Sequence, residues 1–114
     1  WKPAAMTQEA KAEKEMAAAE LESMQVATDA ELRIAWIRAK TTQRLAEIYR
    51  TSVLPQAQAA LKIAEAGYQA NKSNFLDLLD AQRTLLNFRL EYYRYLADYE
   101  ERLAELERIV GKEL

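Results

Sequence analysis

The side chains that could do chemistry in this chain are carboxylates, because its 114 residues include no cysteine and no histidine. Without a thiol or an imidazole, the chain cannot form a zinc finger, a Cys or His nucleophile or a Ser-His-Asp triad. Paired acids such as Glu100 and Glu101 could serve as a general acid and base only in a concave pocket that raises one pKa. Nothing in the sequence indicates such a pocket, so we expect neither an enzyme nor a bound cofactor.

A second acidic pair, Asp77 and Asp80, has i, i+3 spacing, which places both carboxylates on one face of a helix. At a helix N-terminus such acids are favoured by the macrodipole. As ligands, two carboxylates suit a hard cation at most, whereas soft metal ions prefer sulfur or imidazole, which the chain lacks. The spacing alone therefore favours N-terminal helix acids, and we expect no metal site.

The tyrosines and the charged residues also have structural explanations that need no ligand. Tyr92, Tyr93, Tyr95 and Tyr99 could stack on a sugar or cofactor, but rings at helical spacing more often pack in a seam. The charged residues 9–15 are typical of a solvated helix face. The balance of 16 basic and 18 acidic residues lacks the excess of positive charge that would hold nucleic acid.

The length of the chain allows one domain at most. No apolar run approaches the roughly 20 residues that cross a bilayer, and no signal peptide is recognisable. The chain opens with Trp1-Lys2-Pro3 and no methionine, so we expect a piece excised from a longer protein.

Helix breakers are sparse and predict how the chain is organised. Only the polar cluster at residues 71–74 resembles a turn, whereas residues 4–70 and 75–110 are rich in strong helix formers. We predict an all-α fold, in which residues 1–114 form a single long antiparallel helical hairpin. Its two helices would be roughly 100 Å and 54 Å long.

Specific residues account for the predicted helix ends. Pro3 suits a first helical turn, where a missing N–H has no consequence. Asn71 can take the left-handed conformation that ends the first helix, and Asn74 with Asp77 can form a variant of the capping box. Gly111 is expected to cap the second helix at its C-terminus.

Pro55 lies inside the first predicted helix, where it removes the backbone bond to Thr51 and costs about 3 kcal/mol. We expect a kink there rather than a break, because the apolar register continues beyond it. The residues that continue the register are Ala57, Ala60, Ala64 and Tyr68.

Each helix carries two apolar stripes, which predicts two neighbours for each helix. The heptad seam of the second helix comprises Leu78, Gln82, Leu85, Arg89, Tyr92, Leu96, Tyr99, Leu103, Leu106 and Val110, and its second stripe Leu79, Leu86, Leu90, Tyr93, Ala97 and Ala104. The first helix has a small-residue seam of Leu32, Ala35, Ala39, Thr42, Ala46, Tyr49 and Val53, and a second stripe of Ile34, Ile37, Thr41, Leu45 and Ile48. Small residues let helices approach closely, so we expect a sheet-like or barrel-like layer.

The second helix is too short to cover the first. It pairs only as far as about residue 35, which leaves residues 4–34 without a partner in the chain. The apolar side chains expected to face water are Leu21, Met24, Leu32 and Trp36. Exposed apolar stripes usually mark interfaces, so we expect the chain to self-associate.

The turn region carries a recognisable motif. Residues 68–83 read YQANKSNFLDLLDAQR, which closely resembles the periplasmic tip of TolC-type outer-membrane efflux factors, with the pattern Tyr-x-x-Gly-x-x-x-Phe/Leu-x-Asp/Glu-x-Leu-Asp-Ala-Gln-Arg. Three further stretches are similar to the heavy-metal (CzcC/CusC-like) branch of that family. They are Trp1-Lys2-Pro3, LPQA at residues 54–57 and LERIVG at residues 106–111.

The resemblance implies a fragment of the α-helical barrel of a homotrimeric channel, in the periplasmic portion of a Gram-negative outer-membrane protein. The tip of such a barrel meets a periplasmic adaptor and an inner-membrane pump, here expected to be a heavy-metal or drug pump of the RND class. The adaptor-docking residues implied are Ala70, Asn71, Lys72, Ser73, Asn74 and Phe75. Asp77 and Asp80 match acidic positions that ring the closed entrance of TolC. Two departures are that Asn71 replaces the tip glycine and that Ser73 stands where TolC has a basic residue.

Two alternative functions remain open at this stage. One is the helical hairpin of a periplasmic adaptor, which would predict flanking lipoyl-like β segments rich in Gly and Val, and none is present. The other is a purely structural coiled coil, which would predict a single seam and no proline at position 55. An enzyme is a more distant alternative.

Overall fold

The structure is a computed structural model that describes residues 2–113. Its elements are α1 (Lys2–Ile48), a π-helical turn (Tyr49–Val53), α2 (Leu54–Gln69) and α3 (Phe75–Glu113). The first three form one continuous rod, and α3 folds back antiparallel along it, giving extents of 101 × 22 × 15 Å. The predicted all-α hairpin is confirmed. Trp1, the first residue of one predicted motif, lies outside the described residues.

None of the helices between residues 2 and 113 carries an apolar stretch long enough to cross a membrane.

The two helices touch along a narrow seam made of small residues on α1. Ala35, Ala39 and Ala46 are buried there, as predicted. Ala39 lies next to Tyr99 and Leu103 of α3. The Thr42 hydroxyl is also buried, 2.9 Å from the Arg38 carbonyl oxygen and 3.3 Å from the Asp98 carboxylate, so it can donate to either. This polar contact between helices favours one register of the seam over its neighbours.

The seam of α3 is only partly the one predicted. Leu78, Leu85, Tyr92, Tyr99 and Leu106 are buried or half-buried as expected. The prediction is wrong for the intervening positions Gln82, Arg89 and Val110, which are exposed. Their neighbours Ala81, Phe88 and Ile109 are buried or half-buried instead. The predicted Leu96 and Leu103 are half-buried, and so are Tyr95 and Arg102 beside them. Apolar residues occupy several neighbouring heptad positions of α3, and contact with the small-residue face of α1 selects among them.

The C-terminal end of α3 also differs from the prediction. The helix continues to Glu113, and no described glycine has a positive φ, so Gly111 lies inside the helix and does not cap it. Ile109, close to this end, is only 2% exposed. It lines a groove with Leu21, Met24 and Thr28 of α1, so α3 covers the rod further than the predicted limit near residue 35.

The N-terminal part of α1 nevertheless extends well beyond α3. Leu21 and Met24 are 59% and 67% exposed, as predicted. Trp36 is also 53% exposed as predicted, but it lies beside Leu103 and Leu106 of α3 and outside the seam. Leu32 is half-buried, because the longer α3 reaches it.

Pro55 is accommodated by the π-helical turn that precedes it. The Leu54 N–H donates to the Tyr49 carbonyl, which is an i→i+5 bond in place of the α-helical i→i+4 bond. The Thr51 hydroxyl donates to the Glu47 carbonyl at 2.8 Å, which provides a further donor within the disturbed ladder. The rod therefore continues through Pro55 without a break.

The π turn shifts the register by one residue, because a π turn holds one more residue than an α turn. Of the positions expected to continue the seam, Ala57 is buried and Ala64 half-buried, but Ala60 and Tyr68 are exposed. Leu61 is half-buried in their place. The predicted continuation is therefore confirmed at Ala57 and Ala64 and wrong at Ala60 and Tyr68.

Two adjacent leucines of α3 test the assignment of the seam. Leu85 is 5% exposed and Leu86 is 57% exposed. We expect Leu85→Ala to lower the free energy of unfolding by about 2–5 kcal/mol, and Leu86→Ala to change it by at most about 0.5 kcal/mol in the dilute chain. Urea unfolding followed by circular dichroism measures both, and equal losses would contradict the assigned seam.

Candidate functional site at the hairpin tip

The turn between α2 and α3 closes through backbone bonds that end α2 in a Schellman motif. Asn71 has φ 57°, the left-handed conformation predicted for it. Its N–H donates to the Tyr68 carbonyl at 3.1 Å, and the Lys72 N–H donates to the Gly67 carbonyl at 2.8 Å. Asparagine tolerates this conformation better than most residues other than glycine, which explains how Asn71 can stand at the position of a glycine.

The start of α3 is capped by a side chain. Asn74 Oδ1 accepts a hydrogen bond of 2.9 Å from the Asp77 N–H, as predicted for an N-cap residue. The reciprocal bond of a full capping box, from the Asn74 N–H to the Asp77 carboxylate, is not formed among residues 2–113. The backbone of Asp77 therefore completes the cap, and its carboxylate stays exposed.

Gly67 is a tip residue that the sequence analysis missed. A Cβ added to it would lie 2.8 Å from Ser73 Oγ, closer than real contacts allow. Within the described part of the chain, that buried hydroxyl oxygen has no hydrogen-bond partner. Gly67 therefore lets Ser73 pack against the end of α2. The signal was its place four residues before Asn71, where the Schellman motif receives its bonds.

The outer surface of the tip is apolar with one lysine. Phe75 and Leu76 are 57% and 65% exposed, and Lys72 beside them is exposed. The Tyr68 ring meets the Phe75 ring edge-on, with centroids 6.1 Å apart. Of the six predicted docking residues, Ser73 is half-buried and Ala70, Asn71, Lys72, Asn74 and Phe75 are exposed.

Leu76 and Tyr68 add to this surface and were missed by the sequence analysis. A detectable signal was that two large apolar residues, Phe75 and Leu76, directly follow the N-cap of α3. Side chains in a first helical turn that immediately follows a tight loop have few partners within the hairpin. The apolar residues at this place are therefore available to another molecule.

The predicted acidic pair lies just beyond the tip. Asp77 and Asp80 are both exposed, in the first two turns of α3. Two carboxylates one turn apart can attract cations, and a ring of copies would strengthen that attraction. Across residues 2–113 there is no group of three or more side chains that could hold a metal ion.

The shifted pKa values arise away from the tip. The hydrogen bond from the Arg50 guanidinium lowers the pKa of Glu47. Burial raises the pKa of Tyr49, and the nearby Tyr95 and Glu91 raise it further. Glu47 lies just before the π turn and Tyr49 begins it, so the hydrogen bond of Glu47 and the burial of Tyr49 are both local to that turn.

Comparisons with known proteins indicate the family of the chain. The sequence profile of the outer membrane efflux protein family matches residues 2–112. The chain is 39% identical over 67 residues to the cobalt-zinc-cadmium resistance protein CzcC of Cupriavidus metallidurans, an alignment that covers 59% of the chain and 16% of that relative. No solved structure matches the chain.

The chain thus spans only a small part of the length of this relative. The alignment confirms the resemblance to the heavy-metal branch, which residues 1–3, 54–57 and 106–111 indicated. The profile match extends over nearly the whole chain, and on that basis the chain belongs to the outer membrane efflux protein family, whose members are transport components and not enzymes.

Proposed function

We propose that this chain is the periplasmic helical hairpin of a trimeric outer-membrane efflux channel, where it forms part of the conduit wall and carries the adaptor-docking tip. The observation that carries the proposal is the pair of exposed apolar stripes outside the seam. The stripe on α1 includes Ile34, Ile37 and Ile48, which are 50%, 56% and 45% exposed. The stripe on α3 includes Leu86, Leu90 and Tyr93, which are 57%, 49% and 63% exposed.

Apolar stripes on both helices indicate packing against further helices, because a free hairpin gains nothing from exposing them. A closed layer of helices would cover these stripes and enclose a passage. Family membership supports this over the adaptor hairpin, and the second stripe on each helix argues against a simple two-stranded coiled coil.

The name of the similar protein, which specifies resistance to cobalt, zinc and cadmium, supports a proposal for the substrate. We propose that the parent protein exports heavy-metal ions together with a periplasmic adaptor and an inner-membrane pump. The chain has no cysteine and no histidine to retain such ions. This part of the conduit would therefore offer them neither thiolate nor imidazole ligands.

The tip is proposed as the docking site because it is both exposed and rigid. Backbone bonds end α2, and the Asn74 side chain caps α3, so the turn is ordered before a partner arrives. Preorganisation reduces the entropy lost on binding. The exposed Phe75, Leu76 and Lys72 would supply apolar contact and one positive charge.

A bulky substitution at the tip tests the docking role in the parent protein. We expect Lys72→Trp to abolish metal export while the channel still folds and inserts, because the new ring obstructs the contact surface. Lys62→Trp is the matched control, since Lys62 is also exposed but lies on α2 away from the turn. Metal resistance and the amount of trimer in the outer membrane are measured together. Undiminished resistance with Lys72→Trp would remove the docking assignment.

Neutralising the acidic pair separates an aperture role from a capping role. We expect Asp77→Asn with Asp80→Asn to weaken the cation selectivity of the open trimer, because the carboxylates would face a narrow aqueous entrance. Stability should change little, since the cap uses the backbone of Asp77.

Asn74→Ala is the control for that experiment. It removes the cap and should cost about 1 kcal/mol of stability, while leaving selectivity intact. Conductance in planar bilayers and melting temperature report the two effects. If the double substitution lowers the melting temperature and leaves selectivity unchanged, the aperture role is wrong.

The exposed part of α1 predicts self-association of the isolated chain. Leu21 and Met24 lie on it and are 59% and 67% exposed. We expect dimers or larger species in sedimentation, and a shift toward monomer with Leu21→Lys and Met24→Lys. A monomer at high concentration in the unsubstituted chain would contradict this expectation.

A further inference from the structure

The π turn at Tyr49–Val53 divides the hairpin into two segments with different registers. Before it, the seam of α1 follows the alternation of four and three residues through Ala46, Tyr49 and Val53. After it, the next buried residue is Ala57, followed by the half-buried Leu61 and Ala64. The alternation would instead have continued at positions 56, 60 and 63.

The sequence of α2 offers both registers. The register observed places Ala57, Leu61 and Ala64 against α3. The other register would place Gln56, Ala60 and Ile63 there, a set that is also mostly apolar. Hydrophobic patterning therefore does not choose strongly between them. The observed register leaves Ile63, a large apolar residue, 74% exposed on the outside of the hairpin.

Pro55 distinguishes the two registers through the backbone. In an uninterrupted α-helix its ring would clash with the Thr51 carbonyl, and it has no N–H to donate to it. In the π turn, the backbone hydrogen bond of Leu54, one residue before the proline, is already an i→i+5 bond to the Tyr49 carbonyl. The Gln56 side chain also donates to Ser52 Oγ at 3.2 Å, which links the turn to the start of α2.

The start of the turn is fixed on α3 by aromatic contacts. The Tyr49 ring meets the Tyr95 ring edge-on at 5.2 Å and the Phe88 ring at 6.0 Å between centroids. Farther from the tip, Thr42 of α1 contacts Asp98 of α3. The α1 side of the turn is therefore anchored, and a change of register would be taken up by α2.

We propose that Pro55, through the π turn, selects the register of the tip segment and thereby the face of α2 that is offered to neighbouring helices. Replacing the proline would let the ladder return to i→i+4 bonds. The extra residue of the turn would then pass into α2 and rotate it by about 100°, the angle of one helical residue. Ala57 would become exposed and Ala60 would turn toward α3.

The absence of cysteine makes this rotation measurable with single introduced thiols. Ala57→Cys and Ala60→Cys are made separately in the 114-residue chain, and their rates of reaction with a maleimide are compared. With Pro55 present, we expect the thiol at position 60 to react faster. With Pro55→Ala, the order of the two rates should reverse.

Three controls separate a change of register from general loosening. A thiol at position 46, which is 6% exposed and lies before the turn, should react slowly in both backgrounds. Pro3→Ala, which removes a proline from the first turn of α1, should leave the order unchanged. Deleting Ser52 together with Pro55→Ala removes the extra residue and should restore the original order.

This test of Pro55 does not depend on any transport role, because the maleimide labelling is measured on the 114-residue chain itself. An unchanged order with Pro55→Ala would overturn the inference, as would a Ser52 deletion that does not restore the order. Fast reaction at all three positions would mean that Pro55 supports folding and not register, and would also overturn it.

Discussion

Two helices can bury only the stripe along which they touch, and this limit governs the whole hairpin. Burying a large apolar side chain contributes roughly 1.5–3 kcal/mol, but here the buried seam of α1 consists of Ala35, Ala39, Thr42 and Ala46. Small residues bring the two backbones together and contribute little apolar area. The larger side chains, among them Trp36, Leu86 and Tyr93, remain outside the seam. Much of the hydrophobic stabilisation available to this sequence therefore depends on neighbours.

The tip contrasts with the rest of the hairpin because its order is local. Its backbone bonds join residues within six positions of each other, and the Asn74 cap lies in the same segment. None of these contacts needs a neighbouring helix. A tip that is rigid by itself can present the same surface to a partner whatever the packing of the long helices.

The sequence predicted the helices, the turn and both caps at the turn, because each depends on local chemistry. Asn71 and Asn74 have few alternatives between two long runs of helix formers. Most of the seam of α3 was predicted, but Gln82 was wrongly placed in it, since Gln82 and Ala81 are adjacent heptad positions and only the facing helix selects between them. The π turn was missed because it depends on Pro55 and on the seam together. Gly111 does not end α3, since a single glycine costs a helix only about 1 kcal/mol. The proposed docking and aperture roles depend on partner surfaces, which the pattern of one chain does not contain.

The position of the ordered tip has a consequence for folding. The contact between Tyr68 and Phe75 closes a very short loop, whereas Thr42 and Asp98 are 56 residues apart. Because the entropy lost on closing a loop grows with its length, pairing should begin at the turn and proceed along the helices toward Ile109. Folding φ-values along α3 would then decline from Phe75 to Ile109. Pairing that begins at the turn needs no early contact between residues far apart in the sequence. The two helices can therefore align in register before any other helix is present to cover them.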